Sequence, residues 1–196
     1  MDRVFKYPVI TPLLVLCVLL LVAYSPAAQD ALVLIEGELW SQIWRLFGTH
    51  LVHIHLAHAI YNGLGLFLLA AVFHTQFTNR LLFNVMLLSA LGGTLVSVYL
   101  GGESNFVGLS GVLHGVYAYA ALRIVQTERT KGTILLALLV LKLSYDFVTA
   151  GSQLAWLDGA AVAHWCHFGG AIGGALAVPV LRKTSLELLR GADEQH

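Results

Sequence analysis

Six long apolar stretches constrain this chain more than any other feature. An α-helix rises 1.5 Å per residue, so about 20 apolar residues are needed to cross the hydrocarbon core of a bilayer. Stretches on that scale occupy roughly residues 8–27, 55–73, 81–100, 107–125, 133–149 and 160–181. Little is left between them for a soluble domain. The 196 residues are 58% hydrophobic and only 11% charged, with mean hydropathy +0.77. A soluble domain carries about 25% charge, so this chain could not cover its surface in water. The hydrophobicity excludes disorder. With 11 Lys+Arg against 11 Asp+Glu there is no basic field for nucleic acid. The sequence therefore predicts an all-α, polytopic membrane protein. Six transmembrane helices would form one bundle domain over residues 1–196, in direct contact with the lipid bilayer.

The basic residues set an orientation. With the N-terminus in the cytoplasm, the inner side collects Arg3, Lys6, Arg80, Arg123, Arg129, Lys131, Arg182, Lys183 and Arg190. Only Arg45 falls outside, and Lys142 lies within the fifth stretch. Lys and Arg accumulate on the cytoplasmic side of membrane proteins, so both termini are expected there. The first stretch, preceded by Arg3 and Lys6, also has features of a signal peptide. Ala27-Ala28-Gln29 makes a poor cleavage site and the apolar run is long, which favours a retained helix. Residues 31–55 carry Glu36, Glu38, Gln42, Arg45 and histidines, and do not read as a seventh span. Trp40 and Trp44, four apart, would share one face of a helix there. The segment is either interfacial and partly embedded, or an ordinary outer loop with aromatic anchors. Cys17 and Cys166 lie in apolar stretches and form no CxxC motif.

Polar side chains at membrane depth are costly and mark sites by default. Four clusters stand out. The first is His50, His53, His55 and His58, followed by Asn62. His58 and Asn62 are four apart and share a helix face, where their N–H groups could converge on one developing oxyanion. The same residues could instead glue helices together or hold a metal, although no HExxH motif accompanies them. The second is Gly108-Leu109-Ser110-Gly111, followed by His114 and Gly115. It is not the GxSxG elbow, since Val112 occupies the last position, and a serine there also reads as a helix cap. The third is His164 to Gly174, in which Gly170 and Gly174 repeat the four-residue spacing of Gly111 and Gly115. Small-xxx-small faces let two helices pack closely, which would bring His167 within reach of Ser110 as base to nucleophile. The fourth is Lys142 and Asp146, read as a structural ion pair, with a transport relay as the rival. His74 is expected at the inner interface.

Together these residues resemble the rhomboid intramembrane serine proteases. The resemblance rests on six spans, Trp44-Arg45, His53 with His58 and Asn62, Gly108-Leu-Ser110-Gly111, and His167-x-x-Gly170-x-x-x-Gly174. It covers residues 44–174, and three separate segments match in order. The short chain and the Gly-Leu-Ser-Gly-x-Leu-His-Gly form are most similar to the rhombosortase branch, which processes proteins carrying a C-terminal GlyGly-CTERM anchor. The resemblance implies Ser110 as nucleophile, His167 as general base, and His58 and Asn62 in the oxyanion hole with the Ser110 N–H. His53, Gly108, Gly111 and His114 would line the site. His114 stands where many rhomboids have a tyrosine packed on the catalytic histidine, and Cys166 stands where a small residue is usual, read as buried filler. His164 is the competing histidine, but the glycine spacing fits His167.

No Asp or Glu is singled out to orient His167, so a Ser–His dyad is expected rather than a triad. No metal or organic cofactor is required, and activity should fall in acid as His167 protonates. The implied partners are membrane-anchored protein substrates, and no oligomeric state follows from the sequence. A glycine pair weakens a helix by about 1 kcal/mol per residue relative to alanine, so a GlyGly site atop an anchor helix suits cleavage. The fifth stretch, ending near Gly151, is the expected lateral gate. The rival functions are a generic rhomboid with other single-span substrates, an inactive rhomboid-like binding protein, and a histidine-based metal or haem membrane protein.

Overall fold

The structure is a computed structural model that describes residues 8–150 and 162–193, with side chains through residue 181. Eight α-helices form among the described residues: α1 (Ile10–Ala23), α2 (Pro26–Leu32), α3 (Arg45–Gly48), α4 (Leu56–Val72), α5 (Asn79–Tyr99), α6 (Ser110–Val125), α7 (Arg129–Val148) and α8 (His164–Asp193). Each of the six apolar stretches carries one long helix, and no strand forms among the described residues. Among the described residues only α5 is by itself long and apolar enough to cross a membrane. Counting each bent helix pair as one span raises that number to three. Large apolar side chains cover the outside of the bundle, including Leu14, Leu21, Leu68, Leu141 and Val148. Such an outer surface is stable against lipid and not against water, so this is an integral membrane protein.

Several details differ from the sequence expectation. The first helix stops at Ala23, and the chain turns by 109° into α2. Pro26 has no N–H to continue the helix, and the Ser25 hydroxyl accepts from the Ala28 N–H at 3.3 Å, restarting it in a new direction. The fourth helix begins at Ser110, because Gly108 takes φ +115°, a left-handed conformation suited to glycine. Trp40 and Trp44 do not share a helix. Turns occupy residues 39–44, and α3 begins only at Arg45.

The segment before α4 is a folded cap and not a free loop. The buried Arg45 donates from Nη1 to the carbonyls of Asp30 (2.7 Å) and Val33 (2.5 Å), and from Nε to Gln42 Oε1 (2.6 Å). Trp44 Nε1 donates to the Ala31 carbonyl. The Thr49 hydroxyl donates to the Phe106 carbonyl at 2.6 Å, and His50 Nε2 lies 3.0 Å from both the Ala90 carbonyl and Thr94 Oγ1 on α5. These bonds tie the cap to α5 and to the segment that precedes α6.

α8 packs chiefly against α5 and α6, and glycine lines both contacts. A Cβ on Gly170 would collide with the Gly111 carbonyl of α6, and one on Gly174 with the Gly115 carbonyl. On the other side Gly92 of α5 meets Gly169 and Gly173. The backbones thus approach as closely as the repeated small residues allow. α7 is held differently. Of its 20 residues only Gly132, Leu139 and Asp146 are buried, one inward stripe at seven-residue spacing.

Candidate active site

Ser110 is the first residue of α6, so its N–H belongs to the helix-terminal groups that have no intrahelical partner. Glycine contacts at 111/170 and 115/174 fix α8 alongside, and His167, one turn above Gly170, faces the serine. His167 Nε2 lies 2.8 Å from Ser110 Oγ. The other ring nitrogen, Nδ1, lies 2.8 Å from Asp146 Oδ2 on α7. A carboxylate only accepts, so Nδ1 carries the proton and Nε2 is left to accept from the serine hydroxyl. This is the tautomer that a general base requires.

The sequence singled out no Asp or Glu beside His167, but the structure places the Asp146 carboxylate behind the ring. Asp146 does pair with Lys142, whose Nζ lies 2.6 Å from each carboxylate oxygen. The same carboxylate also accepts from His167. Sequence spacing exposed the contact within α7 but not the one across to α8.

His58 and Asn62 sit one turn apart on α4, both nearly buried. A Cβ placed on Gly108 would lie 3.0 Å from His58 Cε1, 3.3 Å from His58 Nε2 and 3.7 Å from Asn62 Nδ2. Both side chains therefore face the turn leading into Ser110. Asn62 Nδ2 donates one of its two N–H groups to the His58 carbonyl at 3.2 Å, fixing the amide. His55 caps α4, its Nδ1 accepting from the His58 N–H at 3.0 Å.

The remaining expected site residues are distributed over two layers. His114 stacks on His167, with ring centroids 4.2 Å apart and 18° between planes. Its Nδ1 donates to the Ser110 carbonyl at 2.8 Å, so it both packs and hydrogen-bonds. His53 lies behind the Gly108–Leu109 turn. Its Nε2 accepts from the Leu109 N–H at 3.3 Å and its ring stands edge-on to His58 at 4.9 Å. Gly111 faces Cys166 and α8, and buried Cys166 fills the space between Gly111 and Gly93. His164 turns away from Ser110 toward Glu103, 3.5 Å from its Oε1. Burial raises the Glu103 carboxyl above the usual carboxylate range, and His164 opposes that shift. Gly151, where the gate was expected to end, lies outside the described residues.

Ser110, His167, His114, Asp146, Lys142, His58 and Asn62 all line one cavity of about 1000 Å³. Its walls also include Tyr61, Phe106, Tyr145, Glu36 and Glu103, which the sequence did not assign to the site. Such a space admits a segment of polypeptide with water beside it. The histidines from 50 to 58 do not form a metal cluster among the described residues, since His50 turns to α5 and His53 to Leu109. Ligand-type atoms of His114, Asp146 and His167 do come within 4.8 Å of one another. Asp146 already accepts from Lys142 and from His167 Nδ1, so an ion there would compete with these hydrogen bonds.

No curated protein matches this chain. A family model for the Rhomboid domain matches residues 40–184, which contain every residue of this constellation. A match over most of the chain, together with an all-helical membrane bundle and these segments in order, gives the assignment: the chain belongs to the rhomboid family of intramembrane serine proteases.

Proposed function

We propose that this protein is an active intramembrane serine endopeptidase with Ser110 as nucleophile and His167 as general base. The observation that carries the reading is the 2.8 Å contact between His167 Nε2 and Ser110 Oγ at the wall of a large cavity. His167 takes the hydroxyl proton as Oγ attacks the scissile carbonyl carbon. The carbonyl oxygen becomes an oxyanion held by the Ser110 N–H, His58 and Asn62. His167 returns the proton to the departing amine as the peptide C–N bond breaks. Water then attacks the acyl-enzyme ester, giving its proton to His167, and the carboxylic product leaves with Ser110 restored. The protein's own groups supply every proton transfer, so no cofactor is assigned.

The substrate class follows from the similarity to rhombosortases around Ser110. It is the C-terminal transmembrane anchor of exported or surface proteins, cut at a GlyGly pair. The six apolar stretches and the similarity to the rhombosortase branch support six spans in one domain of a bacterial inner membrane, and the distribution of Lys and Arg supports both termini in the cytoplasm with the site toward the periplasm.

Co-expression with a reporter ending in GlyGly, an apolar helix and a basic tail tests this reading. The expected result is cleavage of the GlyGly reporter and little or none when both glycines are leucine. Equal cleavage of both reporters, or of unrelated single-span proteins alone, would leave a generic rhomboid protease and refute the anchor class. His58→Ala and Asn62→Ala should each slow cleavage by about 10²–10³-fold, as expected for loss of one oxyanion donor. Initial rates at matched membrane levels check this, and an unchanged rate in either variant would remove that residue from the oxyanion hole.

A further inference from the structure

We infer that Asp146 and Lys142 of α7 are positioning residues of this active site, acting on Ser110 through His167. The inference rests on the function proposed above and deepens it. A proton on His167 Nδ1 is held by Asp146 Oδ2 at 2.8 Å, which leaves Nε2 unprotonated toward Ser110. Asp146 is 2% exposed, on a helix that otherwise buries only Gly132 and Leu139. A lone carboxylate in such surroundings is costly unless it is paired. Lys142, which also lines the cavity, supplies the pairing, reaching both oxygens at 2.6 Å while its side chain stays 49% exposed. The carboxylate therefore stays ionised and its orientation is fixed from both sides. The imidazolium formed when Ser110 attacks is stabilised by Asp146 and opposed by Lys142. The line Lys142–Asp146–His167–Ser110 runs from α7 through α8 to α6. Among the described residues the other titratable groups facing His167 are His114 on α6, His58 on α4 and His164 on α8 itself, and none of them is a carboxylate.

The rate of covalent labelling of Ser110 by a fluorophosphonate, in detergent and at matched folded fraction, reads this role without a protein substrate. Asp146→Asn should slow labelling by about 10²–10⁴-fold, because the amide N–H facing Nδ1 favours the tautomer with its proton on Nε2. The pH profiles separate orientation from mere support. In Asp146→Ala the acid limb should move to lower pH, since the imidazolium loses its counter-charge. In Lys142→Gln, which keeps a donor to the carboxylate but removes the cation, the acid limb should move to higher pH. A purely structural role would move neither limb. Asp146→Asn labelled at the wild-type rate, or limbs that stay put or move together, would overturn the inference alone. If Asp146→Asn does not fold, the two pH profiles decide. A wild-type protein that is not labelled at all would overturn the proposed function and this role with it.

Discussion

Replacing Ser110 with alanine should abolish both fluorophosphonate labelling and cleavage, and His167→Ala should come close to the same result. The two side chains act as one unit through a single 2.8 Å hydrogen bond, so their losses should not add. In serine proteases, loss of either member costs about as much as loss of both, on the order of 10⁶-fold. The background in these variants should come only from the donors around the oxyanion, roughly 10³–10⁴-fold over uncatalysed hydrolysis. Mass spectrometry after labelling checks this, with the adduct expected on the peptide containing Ser110. Robust labelling of Ser110→Ala would place the nucleophile elsewhere.

Gly174→Val should be among the most destabilising single changes in the molecule. A Cβ at that position meets the Gly115 carbonyl of α6, a backbone atom that cannot rotate aside. Relief requires α6 and α8 to separate, and that interface also sets the Ser110–His167 distance. Overpacking typically costs about 1–3 kcal/mol, and a clash with backbone belongs at the top of that range or above it. The melting temperature in detergent should fall sharply, with labelling lost in parallel. Leu141→Ala, at an exposed position on α7, serves as the control and should leave both nearly unchanged. A Gly174→Val protein as stable as wild type would refute the account of how α8 is held.

Much of the site was legible because its parts are local in sequence. The four-residue spacing of His58 and Asn62 puts them on one face, and the paired glycines at 111/115 and 170/174 announce a close helix contact. The histidine facing Ser110 could be chosen by its distance from those glycines, and His167 does face it while His164 turns to Glu103. What sequence missed was tertiary. Asp146 has an obvious partner four residues away, so local pairing accounted for it completely, and its second bond needed α8 to be in place. One sign was available: Asp146 continues the seven-residue stripe of Gly132 and Leu139, and so points into the bundle. The early end of α1 was hidden for a different reason. Apolarity runs on through Pro26, and hydropathy does not register a missing N–H. Arg45 shows the same limit from the other side. Its charge marks an outer segment, yet it is buried, because three acceptors folded around it.

The most direct test of the central claim is cleavage by purified protein in liposomes of a purified GlyGly-anchor reporter, with the mass of the released fragment as readout. The account predicts one cut at the glycine pair by wild type and none by Ser110→Ala in the same membranes. Cleavage that persists in Ser110→Ala would contradict it.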